Sequence, residues 1–157
     1  MDHQGHHSRH EPESSQPLVP ADIVINARDQ ELIDTARPLV KKIILGREEC
    51  TAGTVASALR SVTGRIYTGV CIQLNCGIGF CAEHAAVAEM IKGGETEIES
   101  VVAVSLHRVL PPCGRCREFL IQINPRNAET RVILRAGHTV SLKELLPLHW
   151  FFGNYEG

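Results

Sequence analysis

Apolar residues first recur at helical spacing between Leu32 and Ile44. Leu32, Ile33, Ala36, Val40, Ile43 and Ile44 share one face of a 3.6-residue repeat. This predicts a helix over residues 29–45, stopped by Gly46 and kinked or divided at Pro38, which lacks the N–H that a helix interior needs. Two extended runs follow, residues 54–59 and 65–74, with Ser61-Val62-Thr63-Gly64 as the hairpin turn between them. Residues 76–80 carry two glycines and predict a tight connection. Residues 81–91 are rich in alanine and end at Gly93-Gly94, the pattern of a second helix. Residues 98–106 are almost unbroken apolar, as in a strand buried on both faces. Residues 113–123 predict a third helix, ended by Asn124-Pro125. A short strand over 131–134 follows. A short helix over 141–146 comes next, with Ser141 as cap and Glu144 three residues later. Trp150, Phe151, Phe152 and Tyr155 near the C-terminus suit core or subunit contacts.

The order α-β-β-α-β-α-β predicts an α/β fold, a mixed sheet with helices on both faces, in one domain over residues 22–157. Residues 1–21 are polar, with three prolines and His3, His6, His7 and His10. Nothing there could bury a core, so a disordered tail is expected, with weak metal binding as the alternative.

Composition narrows the partners. The 157 residues carry a formal net charge of −2. No basic excess exists to neutralise a phosphate backbone, so nucleic acid is not expected as a partner. The apolar runs are too short to span a bilayer, and the N-terminus lacks an apolar signal region, so a cytoplasmic protein without membrane association is expected. In that compartment the six cysteines should be thiols or metal ligands.

Two stretches concentrate chemistry: Cys81-Ala82-Glu83 and Pro112-Cys113-Gly114-Arg115-Cys116. A Cys-x-x-Cys at a helix start lets two thiolates reach one zinc ion, and Cys81 opens another helix. The partial positive charge at helix N-termini stabilises thiolates. Three protein ligands leave a fourth position for water, as catalytic zinc sites do. Glu83, two residues after Cys81, can stand beside the ion without ligating it and carry protons between water and substrate. That combination suits hydrolytic deamination of an aminopyrimidine. Three alternatives remain open. Cys113 and Cys116 could form a redox pair. The three cysteines could join Cys76 in a closed structural site, with Glu83 an ordinary helix-start acid. Cys50, Cys71 and His84 could be merely packed.

These motifs resemble those of the cytidine deaminase family. The resemblance is closer to its blasticidin S deaminase branch. Thr54-Val55-Ala56-Ser57-Ala58 and Gly64-Arg65-Ile66-Tyr67-Thr68-Gly69-Val70 are similar to the early strands of that branch. Glu144-Leu145-Leu146-Pro147 and Tyr155-Glu156-Gly157 are similar to its end. The likeness spans residues 29–157. It implies a three-layer α/β/α fold with a sheet of about five strands, a homotetramer, and one Zn²⁺ per chain on Cys81, Cys113 and Cys116. Glu83 would then be the proton shuttle, and the substrate a small nucleoside or nucleoside-like antibiotic reacting with water. Blasticidin S is favoured, implying antibiotic resistance; cytidine or deoxycytidine salvage and a non-catalytic zinc protein are the alternatives. The family's Asn-x-Glu pair for the ribose falls on Cys71 and Gln73, and Cys71 is a poor hydrogen-bonding substitute for Asn. The resemblance also implies substrate contacts from Thr54, from Arg108 or its neighbour His107, and from Tyr155. Family members with three zinc thiolates commonly have Arg after the catalytic Glu, where this chain has His84. Compensating positive charge would fall to the helix N-termini, Arg115 or Arg117.

Overall fold

The computed structural model describes residues 26–135 and 137–151. The expected tail over 1–21 and Tyr155 lie outside them. Helix α1 spans Ala27–Ala36, capped by Asn26, whose side chain accepts from the Arg28 N–H. It ends sooner than the periodicity predicts, because Pro38 turns the chain into a short 3-10 segment, Arg37–Leu39. Ile43 and Ile44 form a strand instead of a last helical turn: β1 (Ile43–Ile44), paired with Thr51 and Ala52. β-Branched residues beyond a proline break gain ladder hydrogen bonds there that an isolated helical turn could not match.

Then come β2 (Thr51–Ser61) and β3 (Ile66–Gln73), an antiparallel pair. Helix α2 (Ala82–Lys92) follows, then β4 (Ile98–Ser105) and β5 (Val109–Leu110). Helix α3 (Gly114–Ile123), β6 (Arg131–Arg135), β7 (His138–Ser141) and α4 (Leu142–Leu145) complete the order. Among the described residues the mixed sheet has seven strands, not about five: β3, β2, β4, β6 and β7 run side by side, with β1 on β2 and β5 on β4. The β4–β6 pair is parallel, while every other pair is antiparallel. The strands missed in the pattern, β1, β5 and β7, have two to four residues, too few to show a period.

Strand alternation sends side chains to two cores. Ala56, Ala58, Val102, Val104 and Ile133 meet Leu32, Ile33 and Ala36 of α1 on one face. Leu59, Val101 and Val132 meet Val87 and Met90 of α2, Leu120 and Ile121 of α3, and Leu142 of α4 on the other. The expected three layers result. Across the first face, Arg131 of β6 holds the buried Asp29 of α1 at 2.7 Å. On the second, the fully buried Asn127 accepts from the Ile98 N–H at 2.8 Å and donates to the Leu120 and Thr96 carbonyls, fixing α3 to β4. Trp150, expected in the core or a subunit contact, is 74% exposed, with its N–H on Glu118. Among the described residues, no helix is long and apolar enough to cross a membrane.

Helix α2 lies directly on β3 at Gly69. A Cβ there would stand 2.3 Å from the Ala86 nitrogen and 2.7 Å from the Ala82 oxygen. Backbone cannot swing aside as a side chain can, so Gly69 sets how close α2 sits to the sheet. Gly69→Ala is therefore expected to destabilise the fold by about 1–3 kcal/mol, measured by urea unfolding. An unchanged midpoint would show that α2 can retreat freely.

Candidate metal and active site

Cys81 and Cys113 are the N-cap residues of α2 and α3. Their backbones are extended (φ −73°, ψ 158° and φ −67°, ψ 167°), and neither side chain is spent on capping. A reciprocal pair of backbone bonds between Phe80 and Ile72, 2.9 and 3.0 Å, pins the start of α2 to β3. The start of α3 is held by Arg117, whose Nε donates to the Pro112 carbonyl at 2.9 Å and whose guanidinium also reaches the Leu145 carbonyl at 3.1 Å. Arg117 is thus occupied with backbone. Cys116 lies in the first turn of α3 and is fully buried.

These anchors bring the three sulfurs together. Cys81 Sγ lies 3.7 Å from Cys113 Sγ, and Cys113 Sγ lies 3.5 Å from Cys116 Sγ. A tetrahedral zinc ion with Zn–S bonds of about 2.3 Å sets its sulfurs about 3.8 Å apart, so the spacing fits. The electrostatics fit as well. Burial pushes the Cys81 and Cys116 thiols up, and Cys113 and Glu83 oppose ionisation of both further, while a hydrogen bond with Cys116 eases that of Cys81 in part. Cys113 goes down: burial opposes its ionisation, but hydrogen bonds from the Cys116 backbone and from both other thiols outweigh it. The resistance of Cys81 and Cys116 to becoming anions is what a divalent cation would reverse.

A fourth donor is near: Cys81, Cys116 and His84 offer ligand atoms all within 4.8 Å of one another. His84 Nδ1 stands 3.7 Å from Cys116 Sγ, while its ring lies against Phe119 with centroids 4.2 Å apart. Burial and the Arg115 charge lower its pKa, favouring neutral imidazole. Neither His84 nor Cys116 lines the adjoining cavity, whereas Cys81, Cys113 and Glu83 do. His84 therefore meets the cluster on the α3 side, as a partner for the Cys116 sulfur, away from the opening. Cys76, the alternative fourth thiol, is exposed in a left-handed turn (φ 56°); neither it nor Cys113 belongs to the Cys81–His84–Cys116 group, but Cys113 Sγ reaches both other sulfurs.

The cavity encloses about 430 Å³, a size that suits a small molecule. Its wall comes from the end of β3, the start of α2, Ala103, Leu110, Pro111 and Arg115. Glu83 is only 4% exposed, and burial raises its pKa above the usual carboxylate range. A raised carboxyl pKa suits a group that must both take up and release a proton near neutral pH.

Of the expected substrate residues, Gln73 lines the cavity. Thr54 lies behind it, its hydroxyl 3.3 Å from Cys71 Sγ and 3.5 Å from Gln73 Oε1. Arg108 sits in the β4–β5 turn, where its carbonyl accepts from the Ser105 N–H, and its side chain is outside the lining. The guanidinium at the cavity is that of Arg115, which donates to the Gly79 carbonyl at 3.2 Å. Sequence reasoning missed Thr51, which donates to Gln73 Oε1 at 2.7 Å. Only the β2–β3 register, which sets Thr51 opposite Gln73, reveals it.

Residues 26–133 match the family model for the cytidine and deoxycytidylate deaminase zinc-binding region. Blasticidin-S deaminase of Bacillus cereus is 28% identical over 139 residues, covering 80% of this chain and 94% of that protein. A cytidine deaminase of Halalkalibacterium halodurans is 29% identical over 121 residues, 69% of this chain and 89% of that protein. The crystal structure of cytidine deaminase from Mycobacterium tuberculosis superposes with a TM-score of 0.65 at 26% identity, covering 77% of this chain and 95% of that one.

Zinc loading tests the donor set. Wild-type chain should bind one zinc with three sulfurs and one lighter neighbour, read by X-ray absorption. Cys116→Ser should release the metal, whereas His84→Phe should keep full zinc content. Metal loss on His84→Phe would place the imidazole among the ligands.

Proposed function

The chain belongs to the cytidine and deoxycytidylate deaminase family, and from that premise we propose that it removes the 4-amino group of a free cytosine nucleoside or nucleoside antibiotic by hydrolysis. The observation that carries the reading is the shared cavity. Cys81 and Cys113 line it, with Cys116 Sγ 3.5 Å from Cys113 Sγ behind the wall, and a buried carboxyl of raised pKa lines the same wall.

In this reading Cys81, Cys113 and Cys116 hold the ion. Zinc there would supply Lewis acidity, lowering the pKa of a water molecule so that it attacks at neutral pH. Glu83 takes the proton that the attacking water gives up and places it on the ring nitrogen beside the amino-bearing carbon. As the carbon–nitrogen bond breaks, Glu83 carries the hydroxyl proton to the departing amine. Ammonia leaves, and a ring carbonyl remains. The apolar lining from Val55, Ala103, Leu110 and Phe80 keeps bulk water from the carboxyl and strengthens its hydrogen bonds. His84 supports the Cys116 sulfur, and the N-termini of α2 and α3 offset part of the charge of the thiolates.

Blasticidin S is the favoured substrate, supported by the resemblance of the closing segment and by the bacterial relative named for that reaction, which aligns along nearly its whole length. Cytidine or deoxycytidine is the second reading, supported by the relatives and solved structures named cytidine deaminase. The setting proposed is a cytoplasmic homotetramer, conferring antibiotic resistance where blasticidin S is the substrate. Tyr155 is proposed to close over the base.

Glu83→Gln should retain zinc and lose ammonia release by about a hundredfold or more, the scale of a positioned proton carrier. Turnover near wild type would remove Glu83 from the reaction. In a two-substrate assay, kcat/KM should be higher for blasticidin S than for cytidine. The reverse order would place the chain with the nucleoside salvage enzymes.

A further inference from the structure

Two of the three cysteines have firm local support. The Phe80–Ile72 bridge immediately precedes Cys81, and Cys116 is fully buried in the first turn of α3. Cys113 has less. Cys113, Gly114 and Arg115 are all exposed, and a Cβ on Gly114 would meet nothing within 4 Å. Packing therefore does not fix this turn. The half-buried Arg117 holds it from both sides. Its backbone N–H donates to the Cys113 carbonyl at 3.0 Å, and its Nε donates to the Pro112 carbonyl at 2.9 Å. Those carbonyls belong to the two peptide groups that flank the Cys113 Cα. Peptide groups are planar, so holding both fixes φ and ψ at Cys113 and the direction in which its Sγ leaves the chain. Pro112 is buried, where a carbonyl that loses its donor is costly.

The same guanidinium reaches a distant part of the chain. Its Nη1 donates to the Leu145 carbonyl at 3.1 Å, at the end of α4. The next residue, Glu118, accepts from the Trp150 N–H at 3.1 Å. An arginine fork is rigid and planar, so a carbonyl held at one edge constrains the direction in which the other edge points. Docking of residues 145–150 on α3 thereby bears on Cys113 through Arg117. We propose that Arg117 is a positioning residue that aims the Cys113 sulfur at the metal position, and that through it the metal and the segment 145–150 stabilise one another. The coupling is reciprocal: what the docked segment adds to metal affinity, the metal adds to docking. The inference needs the three-sulfur site and not the deaminase reading. A different role for Arg117, positive charge that offsets the thiolates, predicts that lysine would serve as well.

The test uses the full-length chain and zinc itself, with affinity read by competition against a chromophoric chelator. Arg117→Lys keeps the charge but lacks the planar fork. It should bind zinc about tenfold more weakly or worse, the scale of a lost outer partner of a metal ligand. Ile121→Val trims the buried packing of α3 in the second core and leaves the Cys113 turn untouched. It should lower the urea midpoint yet hold zinc within about threefold of wild type. Amide hydrogen exchange over residues 145–151 reads the other direction. It should slow by about threefold or more when wild type takes up zinc, and the slowing should vanish in Arg117→Lys at saturating zinc. The wild-type exchange measurement needs no variant and stands even if Arg117→Lys does not fold. Zinc held equally by wild type and Arg117→Lys, or lost as steeply in Ile121→Val, overturns the positioning role. Exchange indifferent to zinc in wild type overturns the coupling. A wild-type chain that binds no zinc overturns the three-sulfur site on which both rest, whereas zinc binding without ammonia release overturns the deaminase reading alone.

Discussion

Three sulfur atoms crowded at two helix starts, Cys113 Sγ lying 3.7 Å from Cys81 Sγ and 3.5 Å from Cys116 Sγ, form an arrangement that a cation would stabilise. Burial raises the cost of ionising Cys81 and Cys116, and the Glu83 charge adds to it. The fold nevertheless forces this crowding by placing two helix starts against each other. The Phe80–Ile72 bridge sets one start, and the Arg117 clamp on Pro112 and Leu145 sets the other. Gly69 lets α2 lie close on β3, and Asn127 ties α3 to β4. The packing of the second core and the donor geometry are thus one constraint seen at two scales.

The same helix starts place Glu83. One turn of α2 carries both a sulfur at the cavity edge and a carboxyl in the wall beside it. Burial holds the carboxyl above the usual carboxylate range, because surroundings that exclude water disfavour its anion. The cavity wall draws on separate elements. The start of α2 and the start of α3 contribute Cys81, Glu83, Cys113 and Arg115, and the end of β3 contributes Gln73, whose amide oxygen is held from β2 by Thr51.

Local patterns were enough to place the three cysteines at two helix starts. Cys81, Cys113 and Cys116 sit at helix starts whose position follows from alanine content, proline and glycine, and their spacing is a short-range property of the chain. Glu83 follows from the same two residues of offset. The three layers also follow, since the alternation of Val101 with Val102 and of Val132 with Ile133 assigns each strand two buried faces. What periodicity could not supply was the fate of short segments. A proline break turned Ile43 and Ile44 from an expected helix end into an edge strand, and β5 and β7 are too brief to leave a period.

The cavity wall depended on contacts between residues distant along the chain. Thr51 reaches Gln73 only because β2 and β3 pair in one register, and shifting that register by one residue would turn the hydroxyl to the other face. Arg115, not Arg108, stands at the opening because the start of α3 faces the end of β3, while the β4–β5 turn points its arginine elsewhere. His84 meets Cys116 and Phe119 because α2 and α3 pack side by side. Ligand spacing along a helix is written in consecutive residues and survives without the fold. Which donors and acceptors line a cavity is a sum over separate elements, and no stretch of sequence contains it until the sheet has paired and the helices have docked.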